Sequence, residues 1–203
     1  MTATASPTAA SAPPPVGSIE HPRPVECVDG LVQRDGSPPA PRRTTNPAGS
    51  PTGAPKEPSS SSTGHLTTGS SPSAAPAGSD VTVGPLTWQG LGGLAGGDQT
   101  DRGRQNSGGW HYRIDTVVRP DSTVTVTVGA EQRARAGLEF GGEYGSAPAP
   151  AVAFHSCPGS PTSFRGSFFV AGDGRACVPL DVKVGDAPAR HVVISFFSGR
   201  CPA

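Results

Sequence analysis

Residues 122–128 read Ser-Thr-Val-Thr-Val-Thr-Val, so Val124, Val126 and Val128 share one face while Thr123, Thr125 and Thr127 share the other. A period of two marks a strand with one buried face, and it excludes a helix over the same residues. The pattern recurs. Val178, Leu180, Val182 and Val184 alternate with Pro179, Asp181 and Lys183, and Tyr112, Ile114 and Val118 are set against His111, Arg113 and Asp115. Pro179 has no amide hydrogen, which predicts an edge strand or a position where that donor would face solvent. Further strands are expected over 81–88, 136–140, 151–156, 164–170 and 190–197, about eight in all.

Turn residues punctuate these runs. Arg119-Pro120-Asp121-Ser122, Ala171-Gly172-Asp173-Gly174-Arg175 and Gly185-Asp186-Ala187-Pro188 each suit a hairpin. The helix-friendly run 131–136 is long enough for a single turn. The expectation is an all-β domain over 80–203, an antiparallel β-sandwich with immunoglobulin-like or jelly-roll-like topology.

Composition changes at Asp80. Residues 1–80 hold 15 of the 24 prolines, no aromatic residue, and eight large apolar residues, Met1, Val16, Ile19, Val25, Val28, Leu31, Val32 and Leu66. Such a segment has too little apolar area to offset an ordering entropy of about 1 to 2 kcal/mol per residue. Residues 1–79 are therefore expected to be a disordered tether rich in Pro, Ser, Thr, Gly and Ala.

Formal net charge is zero and the pI is near 7, so no basic face points to nucleic acid. The longest mostly apolar run, 191–197, is far short of a transmembrane helix. Residues 1–30 lack the basic start and apolar run of a secretory signal.

Four cysteines are present. If the last three strands form a meander, Cys177 begins one strand and Cys201 follows the end of the next, at one pole of the sheet, while Cys157 lies at the other pole. Cys177 and Cys201 are the expected disulfide. Cys157 is expected free or paired with Cys27, and Cys27, alone in the tether, is expected to stay reactive.

Several strings together carry a resemblance: Val83-Gly84-Pro85-Leu86-Thr87-Trp88-Gln89-Gly90-Leu91, Phe154-His155-Ser156-Cys157-Pro158, Phe168-Phe169-Val170, Cys177-Val178-Pro179-Leu180-Asp181-Val182 and Ser195-Phe196-Phe197-Ser198-Gly199-Arg200-Cys201. Over residues 81–203 the chain resembles a group of uncharacterised actinobacterial exported or membrane-anchored proteins. The resemblance implies placement outside the membrane and implies no chemistry. Members usually begin with a signal or anchor. The expected location is thus extracytoplasmic if the start is truncated or misassigned, and cytoplasmic otherwise.

Catalytic signatures are missing from the sequence: it has no Gly-x-Ser-x-Gly elbow, no phosphate-binding loop and no His-Glu-x-x-His. Residues 90–95 match Gly-x-Gly-x-x-Ala, but the glycines and charges after them offer no helix on which a pyrophosphate could sit. His155-x-Cys157 offers two metal ligands of the four that zinc wants, and His155 with Ser156 or Asp181 would be a catalytic set only if the fold joined them. No enzyme, metal or cofactor is expected. The remaining candidate is the long Gly-rich loop 91–109 with Asp98, Asp101, Arg102 and Arg104, ending at Trp110, read as a polar binding loop. The expected role is a non-enzymatic module held on a tether, contacting an envelope polymer or another envelope protein. The alternatives are a small enzyme without a recognisable motif and an intracellular structural protein.

Overall fold

The computed structural model describes residues 14–32, 80–141 and 147–202. Among them are β1 (Arg23–Val25), β2 (Leu31–Val32), β3 (Val81–Val83), β4 (Leu86–Trp88), β5 (Gly103–Asn106), β6 (Gly109–Val118), β7 (Thr123–Val128), β8 (Ala136–Glu139), β9 (Ala151–His155), β10 (Thr162–Ala171), β11 (Ala176–Val184) and β12 (Arg190–Phe196). They form two sheets packed face to face. One has the order β1-β9-β7-β11-β12, here called the first sheet. The second has the order β2-β10-β6-β4-β3, with β5 also on β6 and β8 also on β10. Pairing is antiparallel except for β1 with β9.

The alternation predicts which side chains lie between the sheets. Val124, Val126 and Val128 of β7 and Val178, Leu180 and Val182 of β11 are all buried, and the intervening threonines are not. Aromatic rings connect the two layers. Phe168 of β10 meets Phe196 of β12 at a tilt with centroids 5.4 Å apart, and it meets Trp88 of its own sheet edge-on at 6.1 Å, while Phe140 packs edge-on against Phe154 of β9 at 5.1 Å. These edge-on contacts suit the ring quadrupole and add to the area each ring removes from water.

Several local expectations are corrected. Residues 81–88 are two strands folded back at Gly84, not one. Links 119–122 and 171–175 are not hairpins, because each carries the chain from the second sheet to the first, and the last three strands are consequently not a meander. Pro179 lies in the central strand β11, paired with Val193 of β12. Its carbonyl accepts the Gly129 amide at 2.8 Å, so its nitrogen faces the same neighbour just where β7 has ended, and no ladder bond is lost.

The largest correction concerns the N-terminal segment. Residues 14–32 are folded onto the sheets: β1 extends the first sheet beside β9, and β2 lies beside the start of β10 in the second. Val25 is buried, and the Arg23 guanidinium donates to the carbonyls of Ala147 at 2.7 Å and Phe140 at 3.4 Å. Cys27, expected to stay reactive, is bonded to Cys157. The expected tether over 1–79 therefore does not hold for 14–32, and the remainder of that expectation lies outside the described residues.

Candidate functional site

Strands β5, β6, β10 and β8 are neighbours, and their register sets the outer face of the second sheet. One row runs Arg104, His111, Phe169, and the next holds Arg113, Ser167 and Glu139. Because Tyr112, Ile114 and Phe168 point into the core, the odd-numbered residues 111, 113, 167 and 169 must point out. A groove of about 770 Å³ lies over this face, with Phe169 and Pro148 among its apolar walls and Gln105, Asn106 and Ser167 among its polar ones. A second hollow of about 440 Å³ adjoins it through shared Arg104, His111 and Ser167, and adds Thr100, Asp101, Arg102 and Arg113.

His111 organises the floor. Its Nδ1 is 2.8 Å from Glu139 Oε2, its Nε2 is 3.2 Å from the Asn106 carbonyl oxygen, and its ring lies 5.1 Å from that of Phe169. Acceptors thus face both ring nitrogens. The Glu139 side chain is only 11% exposed, so its carboxylate is spent on His111 rather than offered to solvent. The arginine side chains of 102 and 104 make no hydrogen bond or ion pair among the described residues and stand exposed at the rim.

The tight approach of β5 to β6 depends on Asn106-Ser107-Gly108-Gly109. Ser107 and Gly108 both have positive φ, 51° and 81°, the two-residue hairpin geometry that favours glycine. The expected loop 91–109 is therefore largely structured. Residues Leu91–Ala95 form a 3-10 turn with Leu91 and Leu94 buried, and the dinucleotide-like string 90–95 has no α-helix after it. Gln99, which the sequence reading passed over, ties this segment down. Its amide nitrogen donates to Tyr112 Oη at 2.7 Å and to the Asp173 carbonyl at 2.8 Å, and Tyr112 Oη in turn donates to the Gly174 carbonyl at 2.7 Å. Burial pushes the Tyr112 hydroxyl above its ordinary 10.0, with the Gln99 bond and the Arg175 charge acting the other way and Asp173 adding to the rise.

Of the binding-loop residues expected from sequence, Asp101, Arg102 and Arg104 come together along the groove. Asp98 and Trp110 do not join them. Asp98 accepts the hydroxyl and amide of Thr100 at 2.7 and 2.9 Å, which hold its carboxyl below the ordinary value. Trp110 shares the inward face of β6 and stacks on Tyr112 at 6.3 Å. His111, Glu139, Ser167 and Phe169 fall on expected strands and are not among the residues expected to bind.

The other chemical candidates are accounted for by structural partners. Cys157 is in a disulfide, so His155-x-Cys157 is not a ligand pair. Ser156 Oγ is engaged with the Ser122 backbone at 2.9 and 3.1 Å, and Asp181 pairs with His191 at 3.0 Å. Among the described residues no group of three potential ligands could hold a metal, and no helix is long and apolar enough to cross a membrane.

Two disulfides close the fold. Cys177 and Cys201 are joined with Cα atoms 5.6 Å apart, and Cys27 and Cys157 with Cα atoms 4.8 Å apart. Strands β9 and β11 both run antiparallel to β7 and therefore point the same way. Cys157 follows the end of β9 and Cys177 lies near the start of β11, which puts the bonds at opposite poles of the first sheet. All four cysteines are oxidised, which fits an oxidising, extracytoplasmic environment. No protein-family model matches the chain, and neither a curated protein nor a solved structure similar to it is found.

Proposed function

We propose that the protein is a non-enzymatic, extracytoplasmic β-sandwich that binds a component of the cell envelope through the outer face of the second sheet. The observation that carries this reading is the pair of disulfides at opposite poles, cross-links that persist where thiols are not kept reduced. Support for a binding role comes from the groove, which combines apolar walls with a few fixed polar groups. Every link from β6 to β11 changes sheet, a pattern closer to a jelly roll than to an immunoglobulin domain, and we take that as the finer topology.

The test is made in the source cells. Rapid acid quenching followed by alkylation, with protease added to intact cells and to cells stripped of their outer layers, reports redox state and compartment together. The expected result is a protein with no alkylated cysteine that the added protease digests. A protein with reduced thiols, protected inside the cytoplasmic membrane, would overturn the reading.

A further inference from the structure

We infer that the groove's ligand is an acidic glycan, a saccharide chain bearing carboxylate or phosphate groups. This rests on the proposed binding role and narrows it to a chemical class. Three features converge along one trough. At one end Arg102 and Arg104 project with no partner among the described residues, and Arg113 lines the same hollow. A guanidinium offers planar paired donors that match carboxylate and phosphate oxygens, and it keeps its charge at any physiological pH.

The acidic groups nearby do not cancel this preference. Among the described lining residues two carboxylates, Asp101 and Glu139, stand against the three guanidiniums, and Glu139 is hydrogen-bonded to His111 at 2.8 Å. At the other end the half-buried Phe169 ring, backed by His111, and Pro148 present a flat apolar surface. Gln105, Asn106 and Ser167 of the groove's lining supply hydroxyl and amide groups. A ligand that satisfies all three is rich in hydroxyls, has flat apolar ring faces and carries anionic groups along its length. Acidic peptides without ring side chains meet the charge but bring no flat apolar face to Phe169 and Pro148. The two hollows share three residues, so the trough is continuous and suits a chain rather than a single small ion.

The experiment uses the full oxidised chain and calorimetric titration with four probes: polygalacturonate for carboxylate, a polyol phosphate chain for phosphate, neutral dextran, and polyglutamate. Arg102 and Arg104 are replaced together by Gln. Both are exposed, so the fold is spared, and Arg190→Gln on β12 of the other sheet is the control for general charge. Binding of polygalacturonate or the phosphate chain, weakened about tenfold or more by R102Q/R104Q and by added salt but unchanged by R190Q, is expected. Whichever of those two probes binds more tightly identifies the anionic group. Dextran bound as tightly as the acidic chains, polyglutamate bound more tightly than either, an equal effect of R190Q, or no binding of any probe would each overturn the inference. None of these outcomes would touch the compartment, which the thiol and protease experiment reads separately.

Discussion

Removing one oxygen atom, in Tyr112→Phe, tests how the segment before β5 is fixed to the sheets. The Tyr112 side chain is fully buried, and its hydroxyl stands between the Gln99 amide and the Gly174 carbonyl, both at 2.7 Å. Phenylalanine fills nearly the same space, so the loss is polar. Gln99 keeps its bond to the Asp173 carbonyl, whereas the Gly174 carbonyl loses the hydroxyl that donates to it. The expected cost is about 1 to 3 kcal/mol at neutral pH. The pH dependence has a definite sign. Because burial raises the Tyr112 hydroxyl above 10.0 in the folded state, its contribution is complete below pH 10. Above that pH the unfolded chain ionises first and binds fewer protons than the folded one. Stability then falls by about 1.4 kcal/mol per pH unit until the folded hydroxyl also titrates. Tyr112→Phe has no such group, so its deficit should shrink as pH rises past 10. Urea unfolding of both proteins, followed by tryptophan fluorescence at neutral and alkaline pH, measures this difference. A variant as stable as the parent at neutral pH would refute the network, and a deficit that stays constant through pH 10 would refute the raised ionisation.

Replacing Cys27 and Cys157 together by serine opens a loop spanning 130 residues and should cost up to about 5 kcal/mol on the chain-entropy estimate. The same change at Cys177 and Cys201, 24 apart, should cost about 3.5 kcal/mol, and the order of the two unfolding midpoints checks the loop-length argument. In the first variant a glutamate-specific protease should also cut faster at the exposed Glu26. Gly166→Ala would place a methyl group into the Phe140 ring and should lower stability by about 1 to 3 kcal/mol, read as a shift in thermal midpoint without loss of the β-type circular dichroism spectrum.

The strands were legible wherever side chains alternate, as in β7 and β11, because a half-buried strand leaves that imprint whatever its neighbours are. Strand order was not. Pro120-Asp121 and Gly172-Asp173-Gly174 satisfy a tight turn within a sheet and a crossing between sheets equally well, since both need the same local backbone. The folding of residues 14–32 was hidden for a different reason. It depends on one buried side chain, Val25, on ladder bonds that any sequence can make, and on a cystine partner 130 residues away. The available signal was an even cysteine count with one member in the proline-rich segment. At the groove, the charges Asp101, Arg102 and Arg104 were visible as a cluster. Their company with His111, Glu139 and Phe169 required the register of four strands drawn from separate parts of the chain.

The central claim is that a single oxidised fold clamps both poles of the first sheet and takes in the N-terminal segment. Peptide mapping of the oxidised full chain without reduction, with prior alkylation of any free thiol, tests it most directly. The account predicts two linked peptide pairs, one joining Cys27 to Cys157 and the other joining Cys177 to Cys201, with no cysteine alkylated. An alkylated Cys27, or Cys157 linked to Cys177 or Cys201, would contradict it, because those ends could not then lie at opposite poles.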